Sequence, residues 1–278
     1  MLIGHWTATT APTGCTVIVF PEASTASGEV RGGAPASRDF ALLDPRRMVQ
    51  HVDAVVLTGG SAFGLGTADG VGAGLEAAGR GFATRAGNVP IVVAMGLFDL
   101  DDHGVRPGAI DGRSAFDAAS ADGWATGLVG AGAGCTVSKW RGPQHRVPGG
   151  LGFASTRSAD LVVNAMVAVN AIGDIDDGVT TAEVLAGTHV APVVEPESFE
   201  NTTIGVIWTN AALDKIQCHL VAQSGHDGFG RALMPAHTLG DGDALVAASV
   251  GLIEAPLTTV RMLATVAVEQ AVRTCQQS

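Results

Sequence analysis

A chain of 278 residues is long enough to bury a large core, and 46% hydrophobic with 15% charged residues is typical of a globular protein. Its formal net charge of −11 would repel nucleic-acid phosphates and anionic membrane surfaces, and no local Lys/Arg cluster offsets that charge. No run reaches the ~18 uninterrupted apolar residues of a membrane-spanning helix. We therefore expect a protein that binds neither nucleic acid nor a membrane, and its length is compatible with one domain over residues 1–278.

The first part of the chain mixes predicted strands and helices. Met1–Trp6 lacks the basic and apolar regions of a secretion signal, so we expect a cytoplasmic protein. Ser61 follows a glycine turn, and we expect it to cap a helix whose exposed amides could hold a carboxylate or an oxyanion of a bound molecule. The predicted elements are strands over Cys15–Phe20, Val52–Leu57 and Pro90–Ala94, a helix over Ser61–Ala78 and a helix start within Arg113–Ser120.

The middle of the chain reads as hairpins. Gly130–Gly134 is a glycine hinge that leads into a strand over Cys135–Lys139. A second hairpin begins at Gly149, and its second arm is the apolar run Leu161–Asn170. Successive strands at this spacing are antiparallel, so the chain is not a repeating βαβ protein.

The last third contains a polar connector followed by alternating apolar segments. Gly187–Asn201 is rich in proline and glutamate and has no periodicity, which indicates an exposed loop. Ala212–Met234 predicts two helical pieces broken near Gly225 or Gly228. The other predicted elements are strands over 203–209 and Asp243–Val250 and a helix over Leu257–Val272.

The sequence motifs that usually mark metal-binding or cofactor-binding sites favour neither kind of site in this chain. A strand rather than a helix follows Gly130–Gly134, which argues against a dinucleotide loop. The chain lacks a phosphate loop and a G-x-S-x-G elbow. His237–Asp243 has too few oxygen ligands for calcium, and the four cysteines lack the spacing of a zinc site or a disulfide framework.

Eight short blocks in a fixed order cover nearly the whole chain, and together they resemble one family. The blocks are Gly4–Thr7, Thr13–Val17, Val30–Pro35, Leu57–Leu65, Ala133–Lys139, Ala168–Asp174, Asn201–Ile204 and His237–Asp243. Their ordered set resembles the self-cleaving N-terminal nucleophile amidases of the P1 family. That family, peptidase family S58, includes L-aminopeptidase/D-Ala-esterase/amidase, β-peptidyl aminopeptidases and nylon-oligomer hydrolase.

The resemblance implies self-cleavage between Asn201 and Thr202, which leaves an α chain of residues 1–201 and a β chain of residues 202–278. The chemistry agrees, because a hydroxyl next to its own peptide bond can attack the Asn201 carbonyl and form an ester that water then cleaves. The new α-amine can take the proton of the Thr202 hydroxyl. Thr203 is the rival nucleophile, but strand alternation puts Thr202 on the face of Ile204, which we expect to be the more buried face.

The resemblance also assigns roles around the nucleophile. Lys139 would lie beside Thr202 as a positive charge, and Asn170 would donate its amide to the oxyanion. Asp241 and Asp243 would accept hydrogen bonds from the Thr202 amine and hydroxyl. The residues alone leave simpler roles open: an exposed strand-end lysine, a β-turn asparagine and a turn aspartate.

Ser61 and Phe63 are the predicted substrate contacts. Some members of the family carry a tyrosine where this chain has Phe63, and this chain contains no tyrosine. The oxyanion site would therefore rely on Asn170 and on backbone amides.

The resemblance implies an α/β fold, a four-layer αββα sandwich of two mostly antiparallel sheets flanked by helices. It also implies an autoproteolytic aminopeptidase or amidase that acts on small amides or peptides with a free amine, forms an acyl-Thr202 intermediate and uses no cofactor. Members of the family form homo-oligomers, often tetramers, and we expect the same of this chain. Two alternatives stay open: acyl transfer like that of ornithine acetyltransferase, and a non-catalytic binding protein that is never cut.

Overall fold

The computed structural model describes residues 1–100, 102, 104–188 and 200–277. Its strands are β1 (Leu2–Thr7), β2 (Gly14–Val19), β3 (Thr25–Val30), β4 (Ala36–Arg38), β5 (Ala54–Thr58), β6 (Phe82–Thr84), β7 (Gly87–Val89), β8 (Val92–Gly96), β9 (Thr136–Val137), β10 (Val147–Pro148), β11 (Gly150–Ser158), β12 (Leu161–Asn170), β13 (Asp174–Ile175), β14 (Thr202–Ala211), β15 (Leu233–Met234) and β16 (Ala244–Ile253). Its helices are α1 (Ser61–Gly64), α2 (Thr67–Ala77), α3 (Ala109–Asp117), α4 (Val179–Ala186), α5 (Lys215–Ala232) and α6 (Leu257–Thr274).

Two five-stranded sheets form the centre of the molecule. The first has the order β1-β2-β5-β8-β4 and the second has the order β11-β12-β14-β16-β3. One neighbouring pair in each sheet is parallel, β5 with β8 and β14 with β16, and the remaining pairs are antiparallel. The prediction of two mostly antiparallel sheets is therefore confirmed.

Three layers of apolar side chains hold the sheets and helices together. Leu57 of the first sheet meets Met166 and Ile204 of the second between the two sheets. Helices α2 and α3 cover the outer face of the first sheet, and α5 and α6 cover the outer face of the second. Burying one such large side chain stabilises the fold by about 1.5–3 kcal/mol. The layer order is helix, sheet, sheet, helix, as predicted.

Both faces of β14 are buried, which corrects one expectation. Ile204 packs between the sheets, whereas Ile207 packs against the helices α5 and α6. Thr202 is 4% exposed and Thr203 is 0% exposed. The face of Thr202 is therefore not the more buried one, because a strand in an inner layer has no solvent face.

Several element predictions were wrong in detail. The strands β1 and β3 and the helix α4 were not predicted. Helix α3 begins at Ala109, earlier than the predicted start, and the helix predicted from Ser61 is two helices, α1 and α2. Gly60, in the left-handed region, is the N-cap of α1, so Ser61 does not cap it. Only Thr136–Val137 of the predicted Cys135–Lys139 strand is extended.

The predicted break near Gly225 or Gly228 is also absent, since α5 is continuous from Lys215 to Ala232. The predicted loop Gly187–Asn201 lies largely outside the described residues. Within the described ranges, none of the helices combines the length and the apolar character that crossing a bilayer requires.

Candidate active site

Three strand ends meet at one edge of the second sheet. Because β12 and β14 are antiparallel, the last residue of β12, Asn170, pairs with the first residue of β14, Thr202. Because β14 and β16 are parallel, the residues just before β16, including Asp241 and Asp243, lie at the same edge. The sheet order thus collects residues that are far apart in the sequence.

Asn201 and Thr202 are buried at this edge. The Thr202 hydroxyl donates a hydrogen bond to the carbonyl oxygen of Asn201. The backbone N–H of Gly242 donates to the same oxygen at 3.0 Å. Asn201 also forms an isolated parallel bridge with Asp241. The carbonyl before Thr202 is therefore contacted by both a hydroxyl and an amide.

Asn170 uses every polar atom of its side chain. Its Oδ1 accepts from the backbone N–H of Thr136 and from Lys139 Nζ, both at 3.0 Å. Its Nδ2 donates to the carbonyl of Phe98 at 2.9 Å and to that of Glu200 at 3.2 Å. Asn170 is 1% exposed, so its orientation is fixed and it is not a surface turn residue.

Lys139 begins a short helical turn, and its ammonium group is enclosed by oxygens. Nζ donates to the Asn170 carbonyl at 3.1 Å, to Asn170 Oδ1 at 3.0 Å and to the Glu200 carbonyl at 3.1 Å. Burial lowers the pKa of Lys139 to about 7, and the charge of Arg146 acts in the same direction. The lysine is not the exposed strand-end residue that its sequence position also allowed.

Asp241 holds the turn that precedes β16. Its Oδ2 accepts from the N–H and hydroxyl of Thr238 at 2.9 and 2.5 Å, and its Oδ1 accepts from Ile172 N–H at 3.3 Å. Burial raises the pKa of Asp241, and the neighbouring charge of Asp243 raises it further.

Asp243 contacts the residue after Thr202. Its Oδ1 accepts from the Thr203 N–H at 2.6 Å, and its Oδ2 accepts from His237 Nδ1 at 2.8 Å. Across the described residues, neither Asp241 nor Asp243 has a hydrogen bond to Thr202. The two carboxylates therefore fix the turn at 237–238 and the backbone amides of Ile172 and Thr203.

A cleft of about 260 Å³ opens next to Lys139. Its charged lining residues are Lys139, Arg146, Asp99 and Glu200. Glu200 Oε2 lies 3.8 Å from the Arg146 guanidinium. Its remaining lining residues are Pro12, Phe98, Leu100, Leu128, Ala133, Gly134, Cys135, Thr136 and Pro148. Lys139 is the predicted catalytic residue that lines the cleft, whereas Thr202, Asn170, Asp241 and Asp243 are not among its described lining residues.

Ser61 and Phe63 do not line this cleft. Phe63 is 60% exposed, and the Arg106 guanidinium lies 3.8 Å above its ring. The connection of α1 to the cleft is indirect: Gly60 N–H donates to Asp99 Oδ1 at 2.6 Å. The aromatic side chain in the cleft lining is Phe98.

Sequence reasoning expected backbone amides at the site but did not identify which ones. Gly242 lies inside a block that was noticed for its two aspartates, and Glu200 was only part of a polar loop. Backbone amides and carbonyls carry no signal in the residue type, so the sequence could not show which of them would meet the reacting groups. Arg146 and Phe98 also gave no signal, because neither belongs to a recognised block.

In the described part of the chain, no three His, Cys, Asp or Glu side chains group closely enough to hold a metal ion. The four cysteines are buried and free.

Comparison with known sequences gives a consistent picture. Residues 1–278 match Peptidase family S58. The chain is 39% identical over 272 residues to an uncharacterized aminopeptidase of Mycobacterium leprae, covering 88% of this chain and 73% of that protein. It is 30% identical over 269 residues to the 6-aminohexanoate-oligomer endohydrolase of a Kocuria species, covering 89% of this chain and 72% of that protein.

Solved structures show the same fold. A β-aminopeptidase from a Burkholderia species has a TM-score of 0.73 and 22% identity over 98% of this chain and 82% of that one. The L-aminopeptidase D-Ala-esterase/amidase of Ochrobactrum anthropi, a variant of the Ntn hydrolase fold, has a TM-score of 0.73 and 19% identity over the same shares.

Proposed function

The chain belongs to peptidase family S58, and on that premise we propose that it is a self-cleaving aminopeptidase or amidase whose nucleophile is the Thr202 hydroxyl. Relatives named aminopeptidase and 6-aminohexanoate-oligomer endohydrolase support a hydrolase of amide bonds. The finer statements, self-cleavage and the identity of the nucleophile, rest on the geometry at Asn201 and Thr202.

The observation that carries the proposal is the hydrogen bond from the Thr202 hydroxyl to the carbonyl of Asn201. The contact holds the buried hydroxyl beside the peptide bond that it would attack, so the attack would be intramolecular. Thr203 Oγ1 is also buried but has no hydrogen-bond partner among the described residues. The contact therefore favours Thr202 over Thr203.

Self-cleavage would create the base for turnover. Once the bond between Asn201 and Thr202 is cut, Thr202 carries a free α-amine, whose unperturbed pKa is about 7.7–8.0. That amine can accept the proton of the adjacent hydroxyl when it attacks a substrate amide. Protonated Lys139 would favour the unprotonated amine and the developing alkoxide, and because burial lowers its pKa to about 7 this charge is present mainly at and below neutral pH.

The proposed substrate is a small amide or peptide with a free amine, and the products are an amine and an acid released from acyl-Thr202 by water. The acidic character of the whole chain, with a net charge of −11, favours approach of a cationic amine. Every group in this scheme belongs to the chain itself, so we expect activity without an added cofactor.

We also propose a cytoplasmic homo-oligomer, with a tetramer as the expected form. Met48 and Phe82 are 93% and 69% exposed and line one apolar groove. Large exposed apolar side chains in one place are typical of an interaction surface.

Intact-mass analysis of purified protein tests the nucleophile. Wild type should separate into residues 1–201 and 202–278 in denaturant. Thr202→Ala should stay at full length, since it lacks the hydroxyl, whereas Thr203→Ala should still be cut because its hydroxyl makes no described hydrogen bond. Aminoacyl-anilide hydrolysis should follow the cut species.

Thr202→Ser is the matched control, because it keeps a hydroxyl and should retain cleavage. The reverse pattern, with Thr203→Ala uncut and Thr202→Ala cut, would move the nucleophile. A wild-type chain that stays whole after long incubation and hydrolyses no anilide would reject the proposed function.

A further inference from the structure

Two neighbouring carbonyls at the proposed cleavage site are held by different donors. The Asn201 carbonyl accepts from Gly242 N–H at 3.0 Å. The Glu200 carbonyl accepts from Lys139 Nζ at 3.1 Å and from Asn170 Nδ2 at 3.2 Å. The side chains expected to act in turnover are thus bound to the carbonyl one residue before the one that self-cleavage would attack.

We infer that the two reactions use different oxyanion donors: the backbone N–H of Gly242 for self-cleavage, and Asn170 with Lys139 for turnover, after the carbonyl of Glu200 has left them. The inference rests on the proposed function. It adds Gly242 as a catalytic group and makes the Glu200 carbonyl an occupant of the substrate position.

Gly242 is built for close approach to the nucleophile. A Cβ at this position would lie 2.7 Å from Thr202 Oγ1 and 2.8 Å from the Ala34 carbonyl oxygen. The residue is buried, and its φ is not in the left-handed region, so the requirement is for space and not for an unusual backbone conformation. Because Gly242 is buried, its N–H is an effective donor to a developing negative charge.

The first reaction can be followed bond by bond. Thr202 Oγ forms a bond to the Asn201 carbonyl carbon, and the electron pair of the C=O bond moves to the oxygen that Gly242 N–H holds. The tetrahedral centre then expels the Thr202 nitrogen, which takes up the proton that the hydroxyl lost. Water cleaves the resulting ester and releases the Asn201 carboxylate, the Thr202 hydroxyl and a proton.

The carboxylate that self-cleavage creates would drive the Glu200 carbonyl away from Asn170 and Lys139. It forms at Asn201, which is 3% exposed and bridges to Asp241, itself 1% exposed. A further buried negative charge beside Asp241 and Asp243 is disfavoured both by desolvation and by like-charge repulsion. Withdrawal of residues 200–201 relieves both costs and frees Asn170 Nδ2 and Lys139 Nζ for a substrate carbonyl.

The test compares the rate of self-cleavage with the rate of turnover in the same variants. Self-cleavage is followed by intact mass during expression and incubation, and turnover is aminoacyl-anilide hydrolysis per cut molecule. Asn170→Ala should cut within about threefold of the wild-type rate, since it removes no hydrogen bond to the reacting carbonyl, and should lose turnover by ~10²–10³. Asn170→Asp, which keeps the acceptor toward Thr136, should behave in the same way.

Gly242→Ala should slow self-cleavage by about 10²-fold, because its methyl group displaces either the hydroxyl or the donor amide. Gly230→Ala is the matched control: a Cβ there meets nothing within 4 Å, and both rates should stay at the wild-type level. Circular dichroism and thermal unfolding establish that each variant is folded.

Loss of self-cleavage and turnover by the same factor in folded Asn170→Ala and Asn170→Asp would overturn the inference, because the two reactions would then share one set of donors. So would wild-type self-cleavage in Gly242→Ala. Both outcomes differ from failure of the proposed function, in which wild type itself is neither cut nor active.

Discussion

At the scale of single residues, Lys139 shows how the fold changes a side chain. Its ammonium group is surrounded by the oxygens of Asn170 and Glu200, and burial lowers its pKa from an ordinary value of 10.5 to about 7. In the unfolded chain the same group stays protonated until pH rises well above 7. Between these two pKa values the unfolded state binds more protons than the folded state, so stability should rise with pH.

Lys139→Met should remove that rise. We expect the wild-type free energy of unfolding to gain up to about 1.4 kcal/mol per pH unit from this group above pH 7, and the variant to lack this gain. Urea unfolding at pH 7, 8 and 9 measures it, with both proteins carrying Thr202→Ala so that the chain should stay whole. Parallel pH profiles for the two proteins would contradict the low pKa of Lys139, because the constant difference in unfolding free energy between them would then report only the lost hydrogen bonds.

At the scale of elements, α5 explains why two glycines do not break a helix. A Cβ at Gly225 would lie 2.5 Å from Ile207 Cδ1, and a Cβ at Gly228 would lie 2.5 Å from the Thr265 carbonyl oxygen. Both glycines therefore allow α5 to pack closely, Gly225 on the second sheet and Gly228 on α6. An Asp214 capping box fixes the start of the helix. Close packing on both sides outweighs the ~1 kcal/mol that glycine costs within a helix.

Gly228→Ala and Gly230→Ala should change stability in opposite directions. The first forces a methyl group against the backbone of α6 and should cost about 1–3 kcal/mol. The second adds a methyl group in open space on the same helix and should gain about 0.4–1 kcal/mol. Unfolding midpoints in urea, compared with wild type, measure both. Equal effects of the two substitutions would mean that α5 and α6 are not packed at Gly228.

At the scale of the whole molecule, the proposed cut falls inside a sheet and not between two bodies. The strand β14 begins at Thr202 and lies between β12 and β16, pairing with both. The segment after the cut also includes α5 and α6, which cover the outer face of the second sheet. Residues 1–201 contribute the first sheet and three strands of the second, so neither fragment has a complete core of its own.

The two fragments of the cut protein should therefore remain together. Size-exclusion chromatography with light scattering under native conditions should show one species that contains both fragments, at a multiple of the 28.0 kDa chain if the proposed oligomer forms. Separation should require denaturant. Elution of residues 202–278 alone without denaturant would mean that the pairing of β14 does not hold the sheet together.

Much of the fold was predictable from local pattern. Predominantly apolar runs such as Val52–Leu57 and Leu161–Asn170 identified inner strands, because a strand buried on both faces needs apolar residues on both. The same logic could not find β3, whose residues Thr25–Val30 are small and mixed, or recognise that glycines in α5 serve packing. The local secondary-structure propensity of a residue does not depend on the tertiary surface against which that residue will pack.

The candidate site, like the fold, was predictable from the sequence only in part. The ordered blocks predicted family membership, which the match over the whole chain confirms. They also identified the candidate catalytic residues Thr202, Lys139, Asn170, Asp241 and Asp243, whose roles stay predictions. The cleft lining includes Phe98 but none of Ser61, Phe63 and Thr202, so the substrate contacts of Ser61 and Phe63 stay predictions. A block shows that residues occur together in a family, but it does not show which side chain faces the substrate.

The sequence by itself indicated the family, because the blocks depend on residue types and their order along the chain, and the family resemblance in turn implied the sandwich of two sheets and the candidate nucleophile. Only the tertiary structure decided which donor meets which carbonyl: Gly242 at Asn201, and Lys139 with Asn170 at Glu200. Those contacts join residues far apart in sequence through the order of β12, β14 and β16. They form between backbone groups that every residue carries, so only their positions in space distinguish them.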